Sequence, residues 1–321
     1  MPRIGFHCSH EQITPSCLLE HARHAEDAGF GALMSSDHFS PWSARQGESG
    51  FAWAWLGAVL AATDLPCGVV NAPGQRYHPA IIAQAAATLT EMFPGRLWVA
   101  LGTGEASNEH ITGDPWPDKE TRNARLRECV DVIRALFAGE TVSHDGLVRV
   151  DRAMLHTLPP EPPPLVGAAI SVETARWVGE WADGLATVNQ PREKLREMID
   201  AFRANGGGHG RLVLQVHLSW APTDEEAMRI AWDQWRTNVF PPPTCWDLEM
   251  IEEFDALGDR EATEEMVRST VLVSSDLGRH AAHLQELAEL GFDEINLHHV
   301  GQDPAPFIDA FGEHVLPGLA T

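Results

Sequence analysis

Apolar and polar positions along the chain alternate between short buried runs and longer helical patterns. The short runs predict strands at 4–8, 31–35, 67–70, 97–102, 165–169, 183–188, 212–220 and 294–297. Most of these runs are followed by a segment with the apolar spacing of an amphipathic helix. Strands that alternate with helices are typical of a parallel sheet, and about eight such repeats predict a closed (β/α)8 barrel, the TIM barrel.

Two segments are too long to be ordinary connections of such a barrel. Residues 140–158 fit a small hairpin, and residues 223–267 form a long helical stretch that is interrupted by three prolines at 241–243. We interpret both as insertions, because no second apolar core is visible, and expect one domain over residues 1–321. A doubly wound open sheet is the alternative, but the chain contains no strand–GxGxxG–helix unit.

The charge balance narrows the partners that the protein could have. Lys and Arg number 23 against 46 Asp and Glu, a net charge of -23. Nucleic acids and anionic membrane surfaces attract basic patches, so neither is expected as a partner. The chain has no apolar run of the roughly 18 residues that a membrane helix needs, and no apolar signal region at its start. Five scattered cysteines without a CxxC motif predict free thiols in the cytoplasm.

Side chains with useful chemistry follow several of the predicted strands. Glu11 follows the first, His38 with Trp42 the second, and Glu105 the fourth. Because catalytic groups of such barrels lie at the C-terminal ends of strands, Glu11, His38 and Glu105 are expected to meet in one pocket. Two carboxylates near one imidazole separate each other's pKa values, which creates acid and base roles near neutral pH. Glu11 also fits a simpler role as a charge near the start of the helix at Thr14.

A metal site and a serine nucleophile are not expected. His7, Cys8 and His10 are residue types that bind metals, but adjacent residues of a strand point to opposite faces of the sheet. The chain also lacks the GxSxG motif that presents a nucleophilic serine.

Three motifs together resemble the bacterial luciferase-like oxidoreductases. They are DHFSPW at 37–42, QRYHPAIIAQAAATL at 75–89 and ALGTGEASNEH at 100–110. The resemblance runs from residue 4 to about residue 311. It is nearest to the branch that contains F420-dependent glucose-6-phosphate dehydrogenase, and within it to a sub-branch that uses FMN. The resemblance implies a luciferase-like TIM barrel that transfers a hydride between FMN or coenzyme F420 and a small organic alcohol or carbonyl compound.

The same resemblance implies roles for individual residues. His38 and Glu105 match the positions that handle protons, and Glu11 and Trp42 match other active-site positions. The implied cofactor-binding residues are Asp37, Val69, Val70, Asn71, Thr103, Gly104, Asn108, Ala168, Ala169 and Ser171. A non-proline cis peptide under the cofactor ring is implied between Val69 and Val70. The glucose 6-phosphate pocket is not expected, because its phosphate-binding positions fall near Val188 and Pro191 here.

The charge of the residues that are expected near the cofactor tail favours FMN over F420. F420 carries a phosphodiester and several glutamates, so its binding gains from basic residues along the groove. The candidates on that side, Ile170, Ser171 and Thr174, are neutral, and the start of the helix at Ser171 could hold the single phosphate of FMN.

Two other functions remain open for such a barrel. One is a flavin monooxygenase that activates oxygen, and the other is a barrel that binds a flavin without turnover. The pairing of His38 with Glu105 disfavours the second, because binding alone needs neither group. A homodimer is the expected assembly.

Overall fold

The computed structural model describes residues 1–319, and its central element is a closed parallel barrel. In chain order the strands are β1 (Arg3–Cys8), β2 (Ala32–Ser36), β3 (Cys67–Asn71), β4 (Leu97–Leu101), β5 (Val142–Asp145), β6 (Arg149–Ala153), β7 (Leu165–Ala168), β8 (Gly184–Val188), β9 (Arg211–Ser219), β10 (Leu272–Val273) and β11 (Glu294–His299). The barrel order is β1-β2-β3-β4-β7-β8-β9-β11, and β11 pairs back with β1. The predicted (β/α)8 barrel is confirmed.

Helices surround the barrel and form most of its insertions. They are α1 (Pro15–Asp27), α2 (Ala52–Ala62), α3 (Pro79–Met92), α4 (Ala106–Glu109), α5 (Lys119–Phe137), α6 (Val172–Val178), α7 (Arg192–Phe202), α8 (Asp224–Trp235), α9 (Thr244–Asp247), α10 (Ile251–Glu261), α11 (Glu264–Thr270), α12 (Leu277–Ala288), α13 (Ala305–His314) and α14 (Leu316–Leu319). Among residues 1–319, no helix has the length and apolar character needed to cross a membrane.

The two predicted insertions have the expected character. The first is the antiparallel hairpin of β5 and β6. The second, predicted as a long helical stretch, divides into α8, α9, α10 and α11, with the prolines at 241–243 between α8 and α9. Helix α6 is short, since it ends at Val178 and turns follow.

A cluster of apolar side chains fills part of the barrel interior. Six strands contribute to it, with Met34, Val70, Trp98, Ala100, Val166, Ala186 and Val213. A larger apolar core lies between the barrel and its helices. Trp98 is 1% exposed and occupies the space next to Gly68, which has no side chain. Large and small residues therefore alternate across the interior, as close packing requires.

Replacing Gly68 with alanine should destabilise the barrel. A Cβ at this position would lie 1.9 Å from Cζ2 of Trp98, so the ring must move within a packed interior. We expect the free energy of unfolding to fall by about 3 kcal/mol, measured by chemical denaturation. Gly57→Ala in α2 is the control, since its nearest neighbour lies 3.7 Å away and alanine favours helix by up to about 1 kcal/mol. Equal stability of the Gly68→Ala variant and the wild type would contradict the packing.

Candidate active site

The structure brings together the three titratable residues that were expected to meet. Nδ1 of His38 lies 2.5 Å from Oε1 of Glu11, and Nε2 of the same ring lies 3.9 Å from Oε2 of Glu105. These residues follow β1, β2 and β4, whose C-terminal ends share one mouth of the barrel. One imidazole therefore lies between two carboxylates, with a close contact on one side and a wider gap on the other.

Glu11 is fixed in place from the barrel side. Its side chain is 6% exposed, and its Oε2 accepts a hydrogen bond of 2.8 Å from Oγ of Ser9. Helix α1 begins at Pro15 and has no acidic residue in its first turn. Glu11 is therefore a partner of His38 and not the helix-end charge that the sequence also allowed.

Burial and charge set different protonation states for the three groups. Burial alone would lower the pKa of His38, but the carboxylate of Glu11 outweighs this, with help from Glu105, and raises the pKa to about 9. Burial raises the pKa of Glu105 to about 7, against the opposing effect of His38. Burial would also raise the pKa of Glu11, yet His38 keeps that pKa well below its usual range. Near neutral pH the pair of Glu11 and His38 is ionised, and Glu105 can gain or lose a proton.

Two aromatic rings form a wall behind His38. The rings of Trp42 and His38 are nearly perpendicular, with 5.6 Å between their centres. The rings of Trp42 and Phe254 are also nearly perpendicular, with 5.4 Å between their centres. Phe254 is 1% exposed and comes from α10, part of the second insertion. The insertion therefore helps to shield the imidazole from water.

A long cleft runs from His38 and Glu105 across the barrel mouth. It contains about 900 Å³ of empty space, including its open entrance. Small residues form much of its wall, namely Val70, Ala72, Gly102, Gly104, Ala168 and Ala169. Gly104 has a φ of +82°, and a Cβ there would lie 3.0 Å from Cγ of Glu109. The wall therefore suits the close approach of a flat ring.

Most of the predicted cofactor residues line this cleft. They are Asp37, Val70, Asn71, Thr103, Gly104, Asn108, Ala168 and Ala169. Nδ2 of Asn71 donates a 2.8 Å hydrogen bond to Oδ2 of Asp37. Oδ1 of each of these two side chains is buried and has no hydrogen-bond partner within residues 1–319. Both atoms are available as acceptors for a ligand.

Two predicted cofactor residues do not line the cleft. Val69 is fully buried in the core between barrel and helices, because side chains alternate along β3 and Val70 is the one that points inward. Ser171 instead caps α6, where its Oγ accepts a hydrogen bond from the backbone N–H of Thr174 at 3.2 Å. Neither side chain is among those that line the cleft.

The cis peptide expected between Val69 and Val70 is also absent. Within residues 1–319 the cis bond is the one between Pro242 and Pro243. Val69 and Val70 pair in regular register with both β2 and β4, as expected of an ordinary inner strand.

Asn108 uses its amide to hold the loops around the site. Its Oδ1 accepts hydrogen bonds from the backbone N–H groups of Phe39 (2.7 Å) and Ser40 (3.2 Å). Its Nδ2 donates to Oε2 of Glu105 at 3.2 Å. Asn108 thus connects the loop that follows β2, which carries His38, to the carboxylate of Glu105.

Several residues of the cleft were missed by sequence reasoning. They are Arg76, Glu109, Lys119, Arg122, Asn123, Trp177 and Trp246. Arg76 lies in one of the motifs quoted above, and it contacts Asp37 through a 2.7 Å hydrogen bond to the backbone oxygen. Its side chain also lies 3.5 Å from carboxylate oxygens of Asp37 and Glu109. The motif was the signal that could have identified Arg76.

The fold and the site together define a class of protein. The barrel places a partly buried acid–imidazole–acid group next to a cleft lined by small residues, so it can move protons beside a bound flat ring, as an oxidoreductase with a flavin-type cofactor requires. The family model for luciferase-like monooxygenases matches residues 2–294. The chain belongs to this luciferase-like family and is an oxidoreductase.

Relatives within the family are similar over nearly the whole chain. An F420-dependent glucose-6-phosphate dehydrogenase of Beutenbergia cavernae is 34% identical over 330 residues, which cover 99% of this chain and 98% of that protein. An F420-dependent hydroxymycolic acid dehydrogenase of Mycobacterium tuberculosis is 33% identical and covers 98% of this chain and 88% of its own length.

A solved structure is similar in fold as well as in sequence. It is an F420-dependent secondary alcohol dehydrogenase in complex with an F420-acetone adduct. The TM-score is 0.91 at 28% identity, and 99% of each chain is covered.

Proposed function

We propose that this protein is an F420-dependent dehydrogenase or reductase that interconverts a small, uncharged alcohol and the corresponding carbonyl compound. The observation that carries the proposal is the placement of His38 between Glu11 and Glu105 at the edge of the cleft. The names of the relatives support F420, since each of the three described above depends on it.

The residues of the cleft fit a deazaflavin ring. The small wall residues allow a flat ring to lie against the barrel mouth, and the free Oδ1 atoms of Asp37 and Asn71 can accept hydrogen bonds from it. When bound, the deazaflavin supplies hydride acceptance and donation. Arg76 offsets part of the negative charge of Asp37 and Glu109 beside the ring site.

We infer that F420 fits the cleft better than FMN, although the neutral residues expected near the cofactor tail had favoured FMN. That preference depended on neutral residues along the outer part of the groove, but Lys119 and Arg122 also line it. Arg176 does not line the cleft, and Arg192 pairs with Glu289 at 2.6 Å. Two cations at the outer end of the cleft suit the phosphodiester and carboxylates of an F420 tail.

His38 handles the proton of the reacting oxygen in this proposal. Nδ1 is held by Glu11, so Nε2 is the atom free to face a substrate. In carbonyl reduction the imidazolium donates a proton from Nε2 to the forming alkoxide, and in alcohol oxidation the neutral ring accepts it. Glu105, whose pKa is about 7, exchanges protons with solvent or substrate on the other side of the gap.

The surroundings of His38 favour an uncharged substrate. Trp42, which is packed on Phe254, offers apolar contact beside the imidazole. Two arginines lie on or against the loop of His38, and both have carboxylate partners. Arg45 is 2.8 Å from Asp255, and Arg76 contacts Asp37. A substrate phosphate would therefore compete with these internal pairs.

A substrate panel tests the proposal. The holoenzyme with F420 should oxidise neutral secondary alcohols with a kcat/KM at least about 10²-fold above that for glucose 6-phosphate, because the two arginines near His38 are already paired with carboxylates. Reduction of F420 is followed by its absorbance. A preference for the sugar phosphate would contradict the proposed substrate class, and activity only with FMN and oxygen would favour a monooxygenase.

The pH dependence of alcohol oxidation should be set by the ion pair between Glu11 and His38. The Glu11 carboxylate raises the pKa of His38, so wild-type alcohol oxidation, which needs the neutral ring, should rise with pH up to about 9. Glu11→Gln removes this charge and should move the rise to lower pH by about 1–3 units. The pH profile of kcat/KM measures the shift, with the exposed Glu20→Gln as control. An unchanged profile would exclude Glu11 from setting the protonation of His38.

Assembly and location complete the proposal. We expect a homodimer in the cytoplasm, and the five cysteines are free thiols in the structure. Sedimentation of the purified protein measures the assembly directly.

A further inference from the structure

The outer end of the cleft carries positively charged side chains, whereas carboxylates lie near its inner end. Lys119 and Arg122 lie in the first turns of α5 and line the cleft together with Thr174 of α6. Trp177 and Trp246 provide aromatic walls at the same end. We call Lys119 and Arg122 with these three neighbours the basic subsite. In a chain of net charge -23, two adjacent cations in a cleft mark a place where an anion can be stabilised.

Arg122 is buried without a full set of partners. Its side chain is 5% exposed, and its Nε has no hydrogen-bond partner within residues 1–319. The guanidinium lies over the ring of Trp116 at 4.3 Å, and Nη1 donates to the backbone oxygen of Pro117 at 3.0 Å. Burial of a guanidinium with an unpaired N–H group costs free energy. An anion that contacts the group therefore gains binding energy.

The nearest carboxylate to Arg122 comes from the short helix α9. Oδ1 of Asp247 is 3.8 Å from Nη1 of Arg122, too far for a hydrogen bond, and it accepts a 3.1 Å bond from Nε1 of Trp116. The Asp247 side chain is 52% exposed, so water weakens this pairing. The preceding residue, Trp246, lies over Nζ of Lys119 at 5.5 Å from the ring centre.

Helix α9 thus places one internal anion and one aromatic ring against the two cations of the basic subsite. Nζ of Lys119 also donates to Oγ1 of Thr174 at 3.4 Å, which connects α5 to α6 across the groove. The contacts of Asp247 are few and partly solvated, whereas the cation it faces is buried. This arrangement stabilises α9 over the cleft but leaves Arg122 open to a better anionic ligand.

We propose that the basic subsite binds the anionic tail of the deazaflavin cofactor, and that Asp247 competes with this tail for Arg122. The inference rests on the proposed function, because it assigns a site to the phosphodiester and carboxylates of F420. Helix α9 then acts as a latch. In the free protein Asp247 faces Arg122, and in the complex the tail takes that place while Trp246 covers the groove. The latch selects cofactors that carry an acidic tail.

Affinity measurements with and without the tail test this inference. The ligands are F420 and its tailless form, which has the deazaflavin ring and ribityl chain but no phosphodiester or glutamates, and binding is followed by fluorescence. Asp247→Asn should tighten F420 binding by about 3- to 10-fold, and Lys119→Ala should weaken it by about the same factor, as expected of partly exposed charges. Neither variant should change the affinity for the tailless form, and added salt should reduce the advantage of F420.

Two variants serve as matched controls. Asp145→Asn removes an exposed carboxylate that is 3.4 Å from Arg149 on the hairpin, and Lys194→Ala removes the charge of a lysine on α7. Both should leave the affinity for both ligands unchanged. All the substitutions except Lys194→Ala concern exposed residues, so the fold should be retained.

The possible results separate the inference from the proposed function. Equal wild-type affinity for the two deazaflavins would overturn the basic subsite and leave the proposed cofactor in place. Weaker F420 binding by Asp247→Asn would show that Asp247 supports the tail and does not compete with it, which also overturns the latch. Failure of both deazaflavins to bind would overturn the proposed cofactor and the inference together.

Discussion

Replacing His38 with alanine is expected to lower kcat by about 10²–10⁴-fold, the usual contribution of a general acid or base. The reason is that Nε2 of His38 is the atom that exchanges the proton of the reacting oxygen, while Glu11 keeps the ring oriented through Nδ1. Affinity for the cofactor should change little, because the ring site is formed mainly by the small residues of the cleft wall. Steady-state kinetics and a cofactor titration on the same preparation measure the two effects.

The control for this variant is His209→Ala. His209 is exposed and precedes β9, so it lies at the end of the barrel opposite the site. Its loss should leave kcat unchanged. A His38→Ala variant that loses cofactor affinity and turnover to the same extent would make His38 a binding residue and not a catalytic one.

Replacing Glu105 with glutamine should lower kcat by about 10²-fold and remove one limb of the pH profile. Burial holds the pKa of Glu105 at about 7, so the wild-type rate should change as this group titrates near neutral pH. Glutamine keeps the shape and can still accept the 3.2 Å hydrogen bond from Asn108, but it cannot exchange a proton. The pH dependence of kcat across neutral pH measures this loss.

Glu140→Gln is the control for this second substitution, since Glu140 is exposed after α5. It should preserve both the rate and the profile. If the Glu105→Gln variant retains wild-type turnover and the same limb near pH 7, Glu105 has no part in proton transfer.

The fold and the convergence of the three titratable groups were predictable because both follow from the strand pattern. Each strand was short and apolar, and a parallel barrel gathers the ends of its strands at one mouth. Glu11, His38 and Glu105 could therefore be placed together without any knowledge of side-chain geometry. Trp42 also follows β2 and contacts the imidazole, as its position after the strand implied.

The outer part of the cleft was not predictable in the same way. Lys119 and Arg122 lie at the start of a helix after a long loop, and their direction depends on how that loop packs. From sequence alone such cations look like solvated surface charges. The net charge of -23 describes the whole chain and says nothing about two cations that lie together. Because these two cations could not be placed in the cleft from the sequence, the charge of the remaining residues favoured FMN.

Two of the predicted cofactor residues lie outside the cleft lining for simpler reasons. Val69 and Val70 differ only in which side of β3 they occupy, and side-chain alternation decides that Val70 faces the interior. Ser171 was given a ligand role because the backbone N–H groups at a helix start can hold a phosphate. In the structure its hydroxyl is committed to the cap of α6 and to a 2.9 Å hydrogen bond with Thr174.

The central claim is that the cleft is a deazaflavin site, and a paired titration of the cofactor-free protein with F420 and FMN tests it most directly. We predict that F420 binds with a dissociation constant near or below about 1 μM and that FMN binds at least about tenfold more weakly, since only F420 can use both the ring site and the two outer cations. Tight binding of FMN together with weak binding of F420 would contradict the claim.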